Sequence, residues 1–255
     1  MNMYQGLFDM FCINGIPSDD YFVYETQSLG LDRLLEKYPL KQIAGEGTDY
    51  EKAYAIMEWI YDHLVHQPDY CNSEDDNAIT LLDRLMEGKP INCRAVAIIM
   101  TECFLALGIK SRVVWLLSVN PYDMDCHVVP IAYCKELKKW IMFDATVHTT
   151  VMNKDGEPLS LLETRDYLAR GEELTFSEKL RYVRGACPYA TQKKMFEKYL
   201  SKNLFMMKTY KINCFGFEKA EGQEIVHLVS SRFDIERYYE LQKKYWEEMN
   251  HDIAG

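Results

Sequence analysis

The sequence has no long apolar run, little glycine or proline, no closely spaced cysteine pair and no excess of basic charge. The longest apolar stretches, such as Val113 to Leu117, fall far short of the roughly 18 consecutive residues that a membrane-spanning helix needs. No membrane segment is expected. Only 13 Gly and 8 Pro stand in 255 residues that are 48% hydrophobic and 27% charged, which excludes collagen-like, low-complexity and disordered classes. A folded core is expected. Lys+Arg number 29 against 39 Asp+Glu, a formal net charge of -10; such a field repels a phosphate backbone, so nucleic acid is not an expected partner. The opening Met1-Asn2-Met3-Tyr4-Gln5, with Asp9 ahead of any apolar run, lacks the basic and apolar regions of a secretory signal, and a cytoplasmic location is expected. Cys12, Cys71, Cys93, Cys103, Cys126, Cys134, Cys187 and Cys214 show no C-x-x-C spacing. They are therefore read as thiols rather than a zinc knuckle, a redox pair or a disulfide framework.

What is present has a clear order. Ala53, Ile56, Met57, Ile60 and Leu64 form one face of a helix from Asp49 to Leu64, with Thr48 and Glu51 at capping-box spacing. A shorter amphipathic run carries Ala78, Leu81, Leu82 and Leu85 and stops near Gly88-Lys89-Pro90. A third helix starts at about Asn92 or Cys93, carries apolar residues on both faces and ends at Gly108. It should be a central buried helix. After it the period shifts to strands: Arg112 to Leu117, Cys126 to Tyr133 and Trp140 to Phe143, the last two joined by a turn at Lys135 to Lys139. Weaker signals follow: a helical stretch from Leu161 to Leu168, a helix from beyond Pro188 to about Asn203, strand-like runs Phe205 to Phe215 and Glu224 to Val229, and a charged helix from Ile235 to Met249. This order reads as α+β. Three parts are expected: an N-terminal extension (1–47), a core (48–165) and a C-terminal α/β addition packed on it (166–255).

The candidate chemistry sits in the core. Cys93 falls at a helix N-terminus, where unpaired backbone N–H groups and the helix dipole favour a thiolate. His127 begins a strand and Asp144 closes the next, so an antiparallel pair brings imidazole and carboxylate together. Read from spacing alone, Asp144 could equally be a turn residue and His127 a satisfied surface histidine. His63, His66, His227 and His251 are read as surface or filler residues; His148, close behind Asp144, is less easily set aside. Cys126 is expected on the opposite strand face from His127 as core filler or a bystander thiol. A metal site from Cys93, His127, Asp144 and His148 would use legitimate zinc ligands, but at spacings of no closed structural motif.

Local wording adds to this. Asn92-Cys93-Arg94-Ala95-Val96-Ala97, the Gly108-Ile109-Lys110-Ser111-Arg112-Val113-Val114 exit into a strand, Cys126-His127-Val128-Val129 and Lys139-Trp140-Ile141-Met142-Phe143-Asp144-Ala145-Thr146 together resemble the transglutaminase-like superfamily. The resemblance runs from about Thr48 to Thr146. It implies a papain-like fold with the nucleophile on a central helix N-terminus packed on an antiparallel sheet, and a triad of Cys93 as nucleophile, His127 as general base and acid, and Asp144 fixing the imidazole. The chain differs from many members in having Arg94, not an aromatic, directly after the cysteine.

The expected function is cysteine-dependent acyl transfer or hydrolysis of a peptide or protein amide through a thioester, with no organic cofactor or metal required. The backbone N–H of Cys93 is the natural first oxyanion donor, and a second is expected between Trp59 and Asn77, with Gln67 a candidate for its amide. The alternative is a catalytically silent peptide-binding module on the same fold. The aromatic tail, including Tyr189, Phe196, Tyr199, Phe205 and Tyr210, suits a covering layer or one wall of a substrate groove, and the last helix a solvated amphipathic face.

Overall fold

A computed structural model describes residues 3–14, 16–183 and 185–253. In chain order the elements are α1 (Met3–Met10), β1 (Val23–Tyr24), α2 (Leu29–Lys37), α3 (Leu40–Ala44), α4 (Asp49–His63), α5 (Ala78–Met86), α6 (Cys93–Ala106), β2 (Ser111–Leu117), β3 (His127–Cys134), β4 (Lys139–Met142), β5 (Val151–Met152), α7 (Leu161–Arg170), β6 (Thr175–Phe176), α8 (Tyr189–Asn203), β7 (Met206–Tyr210), β8 (Ile212–Asn213), β9 (Ile225–Leu228) and α9 (Ile235–Ile253). The fold is α+β. No helix among the described residues is long and apolar enough to cross a membrane.

The helices begin where their caps require. Thr48 and Glu51 form the expected capping box on α4, Asn77 and Thr80 form another on α5, and Asn92 caps α6 by accepting from the Ala95 N–H. Each cap satisfies donors that the first turn leaves unpaired. Past the end of α6, Gly108 takes a left-handed φ of 77°, a conformation that costs an L-residue with a Cβ about 1 kcal/mol or more, and the chain turns into β2.

The main sheet runs β4-β3-β2-β7-β9, each neighbour antiparallel. Its β7 and β9 come from the C-terminal region and hydrogen-bond to the edge of β2 that the β2–β3–β4 meander leaves open. Sequence periodicity identified these strands without their partner. Pairing them there removes an exposed sheet edge. One face of the sheet packs on α6, and α2, α4 and α5 close around that helix to form a core containing Leu34, Ile56, Leu81, Ile98, Phe104 and Phe143. The other face is covered by Phe8, Leu168, Phe196, Leu200, Phe205 and Tyr238, drawn from both ends of the chain. A short parallel pair, β1 with β8, joins the two ends directly.

Helix α6 has no solvated face: every residue from Ala95 to Ala106 is buried. Among them is Glu102, fully buried, whose carboxylate accepts from the Ala78 N–H at the start of α5 (2.7 Å) and from the Gly216 N–H (2.9 Å). Burial outweighs these two donors and pushes its carboxyl up to about 8 from an ordinary 4.5. A carboxyl raised on folding contributes stability that is complete below its unfolded pKa and lost as pH climbs through the folded one. The protein should therefore lose stability between about pH 4.5 and 8. Glu102→Gln, which cannot ionise, should flatten that decline by about 2 kcal/mol, read from urea midpoints; a slope unchanged in the variant would contradict this assignment.

Candidate active site

Cys93, His127 and Asp144 arrive from three elements. Cys93 is the first residue of α6, next to its Asn92 cap, and Asn92 is itself anchored through Nδ2 to the Tyr70 carbonyl (3.4 Å). His127 opens β3 opposite Leu116. Asp144 follows β4 and is held by a two-way backbone bridge with Thr149 (2.9 and 3.0 Å). In the β3–β4 register Ile131 faces Met142, so continuing it sets Asp144 across from Val129, one diagonal step from His127. Diagonal neighbours lie within reach of a long side chain.

His127 Nε2 lies 2.6 Å from Asp144 Oδ2 with both side chains buried. Asp144 Oδ1 accepts from the Thr146 N–H (2.9 Å) and hydroxyl (2.6 Å). Burial opposes ionisation of Asp144, yet His127 and the Thr146 donors hold it below the usual carboxylate range. An ionised carboxylate only accepts, so Nε2 must donate, and Nδ1 is left for the thiol. Burial also opposes charge on His127, but Asp144 and the Cys93 thiolate outweigh it and raise the imidazole to about 10. Cys93 shows the reverse balance. Burial disfavours its thiolate, but hydrogen bonds from His127 and His66, the His127 charge and the Val128 N–H bring it down to about 6. Near neutral pH the pair is thiolate and imidazolium.

The other cysteines contrast with this. Cys126 and Cys214 are pushed up to about 11 and Cys134 to about 12, each mainly by burial. All eight are free thiols. Cys126 nonetheless lines the same cavity as Cys93 and His127. It also packs against both hydrophobic clusters, in keeping with a filler or bystander thiol.

That cavity, of about 650 Å³, is also lined by His66, Arg94, Trp115, Tyr182 and Tyr199. Tyr199 meets the His127 ring edge-on at 5.5 Å and donates its hydroxyl to Asp125 (3.2 Å). One of the tail aromatics is thus a groove wall, while Phe196 and Phe205 are core. Arg94 is clamped by Asp76 (3.2 Å), the Ser73 carbonyl (3.1 Å) and Glu218. It ties the loop before α5 and the C-terminal region to the residue beside Cys93.

The remaining histidines separate by environment. His63 is exposed, with Nδ1 at 2.8 Å from the Trp59 carbonyl. His227 pairs with the Tyr239 hydroxyl (3.0 Å). His148 is buried, stacks on Tyr61 at 4.0 Å and meets Glu58 at 3.1 Å, outside the Cys93 cavity. The His251 side chain lies outside the described residues. Among the described residues no cluster of three or more His, Cys, Asp or Glu could hold a metal ion. His66, read from sequence as a filler, reaches Cys93. Gln67 does not line that cavity; it borders another with Tyr70 and Arg84.

Residues 37–145 match the family model of the transglutaminase-like superfamily. The resemblance read from the motifs holds over that segment, which contains Cys93, His127 and Asp144. Among solved structures, a candidate cysteine protease from Cytophaga hutchinsonii is similar at 20% identity and a TM-score of 0.38, over 64% of this chain and 55% of that one. The chain spans about half the length of that relative (55%). Legionella pneumophila LapG is similar at 11% identity and a TM-score of 0.35, over 51% of this chain and 77% of that one. Its EGTA-treated form aligns over 70% and 99%, at 11% identity and a TM-score of 0.36. No curated protein gives a significant match.

The electrostatics fix an expected profile. Iodoacetamide should alkylate Cys93 with a midpoint near pH 6 and a plateau by neutrality. His127→Ala should move the Cys93 midpoint up by 2 or more pH units, to about the range of an ordinary buried thiol or above. Peptide mass spectrometry of Cys93 against pH reads both curves, and a midpoint that is the same in the wild type and in His127→Ala would refute the ion pair.

Proposed function

We propose that the protein is a cysteine acyltransferase or hydrolase acting on peptide or protein amides. The observation that carries this reading is the buried 2.6 Å contact of His127 with Asp144, next to a thiol at a helix N-terminus drawn down to about 6. The Cys93 thiolate attacks the amide carbonyl carbon, forming the C–S bond while the carbonyl π electrons move to oxygen. As the carbonyl reforms and the C–N bond breaks, the His127 imidazolium delivers its proton to the departing amine. A thioester is left on Cys93. His127, now neutral, takes a proton from water or an incoming amine as that nucleophile attacks, and the thiolate leaves. Asp144 keeps the imidazole in the required tautomer and stabilises its charge throughout. The helix α6 dipole acts in the same direction by favouring negative charge at its N-terminus.

The cavity supports a peptide-sized reactant: aromatic walls at Trp115, Tyr182 and Tyr199 and a volume of about 650 Å³ suit a side chain and its flanking backbone. In this reading residues 48–165 are the catalytic core, flanked by the N-terminal extension, and the C-terminal addition completes its sheet and its groove.

Incubation with a casein digest and a biotinylated primary amine tests the reading. New peptide N-termini report hydrolysis, and biotin incorporation reports transfer. Either product should vanish in Cys93→Ala with the fold retained, and should fall by about 10³-fold or more in Asp144→Asn, which loses the tautomer control. No cysteine-dependent product from a Cys93 that alkylates rapidly would favour the silent peptide-binding module.

A further inference from the structure

Amide attack needs a second N–H opposite the leaving group, and one residue of the cavity is tethered where such a donor belongs. The segment leaving α4 is laced to the segment entering α6: the Ile91 N–H donates to the Val65 carbonyl (3.0 Å) and the Gln67 N–H to the Ile91 carbonyl (2.9 Å). This parallel bridge sets His66 directly across from Ile91, two residues before the nucleophile. His66 lines the Cys93 cavity, half-buried, and is among the groups that favour the Cys93 thiolate. The bridge leaves Gln67 bordering the neighbouring cavity instead. Two other polar neighbours of Cys93 are already engaged. Asn92 caps α6 and holds the Tyr70 carbonyl, and Arg94 is gripped by Asp76 and Glu218.

We propose that the His66 imidazole N–H is the second donor of the oxyanion hole, acting with the backbone N–H of Cys93; this rests on the acyl-transfer reading above. As the C–S bond forms, negative charge leaves sulfur for the carbonyl oxygen bonded to the adjacent carbon. A donor held against the sulfur needs only a small shift to follow it. The imidazole donates whether neutral or protonated, so the role requires no proton transfer by His66. His127 on the other side carries the proton for the leaving amine.

Two probes of Cys93 separate this role from simple tuning of the thiolate. Iodoacetamide reacts by displacement at carbon and forms no oxyanion, whereas p-nitrophenyl acetate acylates through a tetrahedral oxyanion and releases nitrophenolate. Dividing the acylation rate by the alkylation rate of the same variant cancels any change in thiolate fraction. With Cys93→Ala subtracted as background, that ratio should fall by about 100-fold in His66→Ala. It should fall equally in His66→Phe, which keeps the volume should the alanine variant not fold. His66→Gln, which restores an N–H, should recover most of the ratio, and Gln67→Ala should leave it at the wild-type value. A ratio unchanged in both His66→Ala and His66→Phe overturns the assignment while leaving acyl transfer standing. A wild-type Cys93 that alkylates rapidly but is not acylated overturns both.

Discussion

The burial of helix α6 on all sides is the constraint from which the rest follows. A helix without a solvated face must be enclosed, and here the sheet closes one side while α2, α4 and α5 close the others. Even its one acidic interior residue, Glu102, is spent inside the protein, holding the start of α5 and the Gly216 turn. Such a helix meets the outside only at an end. At the N-terminal end the backbone N–H groups are unpaired and the dipole is positive, so a cysteine there is both accessible and electrostatically favoured as thiolate. Cys93 is half-buried at that tip, between His127 and His66.

The charge arrangement around it is a chain of compensations in a low-dielectric setting. Asp144 is ionised against its burial because Thr146 and His127 donate to it. His127 holds its proton against its burial because Asp144 and Cys93 carry the opposite charge. Removing any member leaves an uncompensated group in a site where charges are expensive to desolvate. The same logic extends outward through Arg94, whose guanidinium is clamped by Asp76 and Glu218. Glu218 belongs to the C-terminal region, as do Tyr182 and Tyr199 in the groove and β7 and β9 in the sheet. The C-terminal region therefore pairs the open edge of β2, walls the cavity and braces the residue beside the thiol.

The helices α4, α5 and α6, the strands β2 to β4 and the position of Cys93 were legible because each rests on local rules. Apolar spacing, a cap three residues away and a glycine at a helix end act over a few residues, and Thr48, Asn77, Asn92 and Gly108 do in the fold what their types imply. The His127–Asp144 contact was legible for a related reason, since a short hairpin converts sequence spacing into proximity. By itself, then, the sequence determined these core elements, their order and three of the residues that meet at their centre, whereas α1 to α3, β1, β5 and β6 carried no signal strong enough to mark them. The tertiary structure decided what depends on contacts between distant segments. His66 faces Cys93 and Gln67 does not because of one backbone bridge to Ile91. Cys126 borders the cavity while also packing against both hydrophobic clusters. The C-terminal strands extend the sheet because β2 had a free edge to pair. None of these has a periodic or capping signature, since the residues at each end of the contact carry no local record of the partner that packing brings to them.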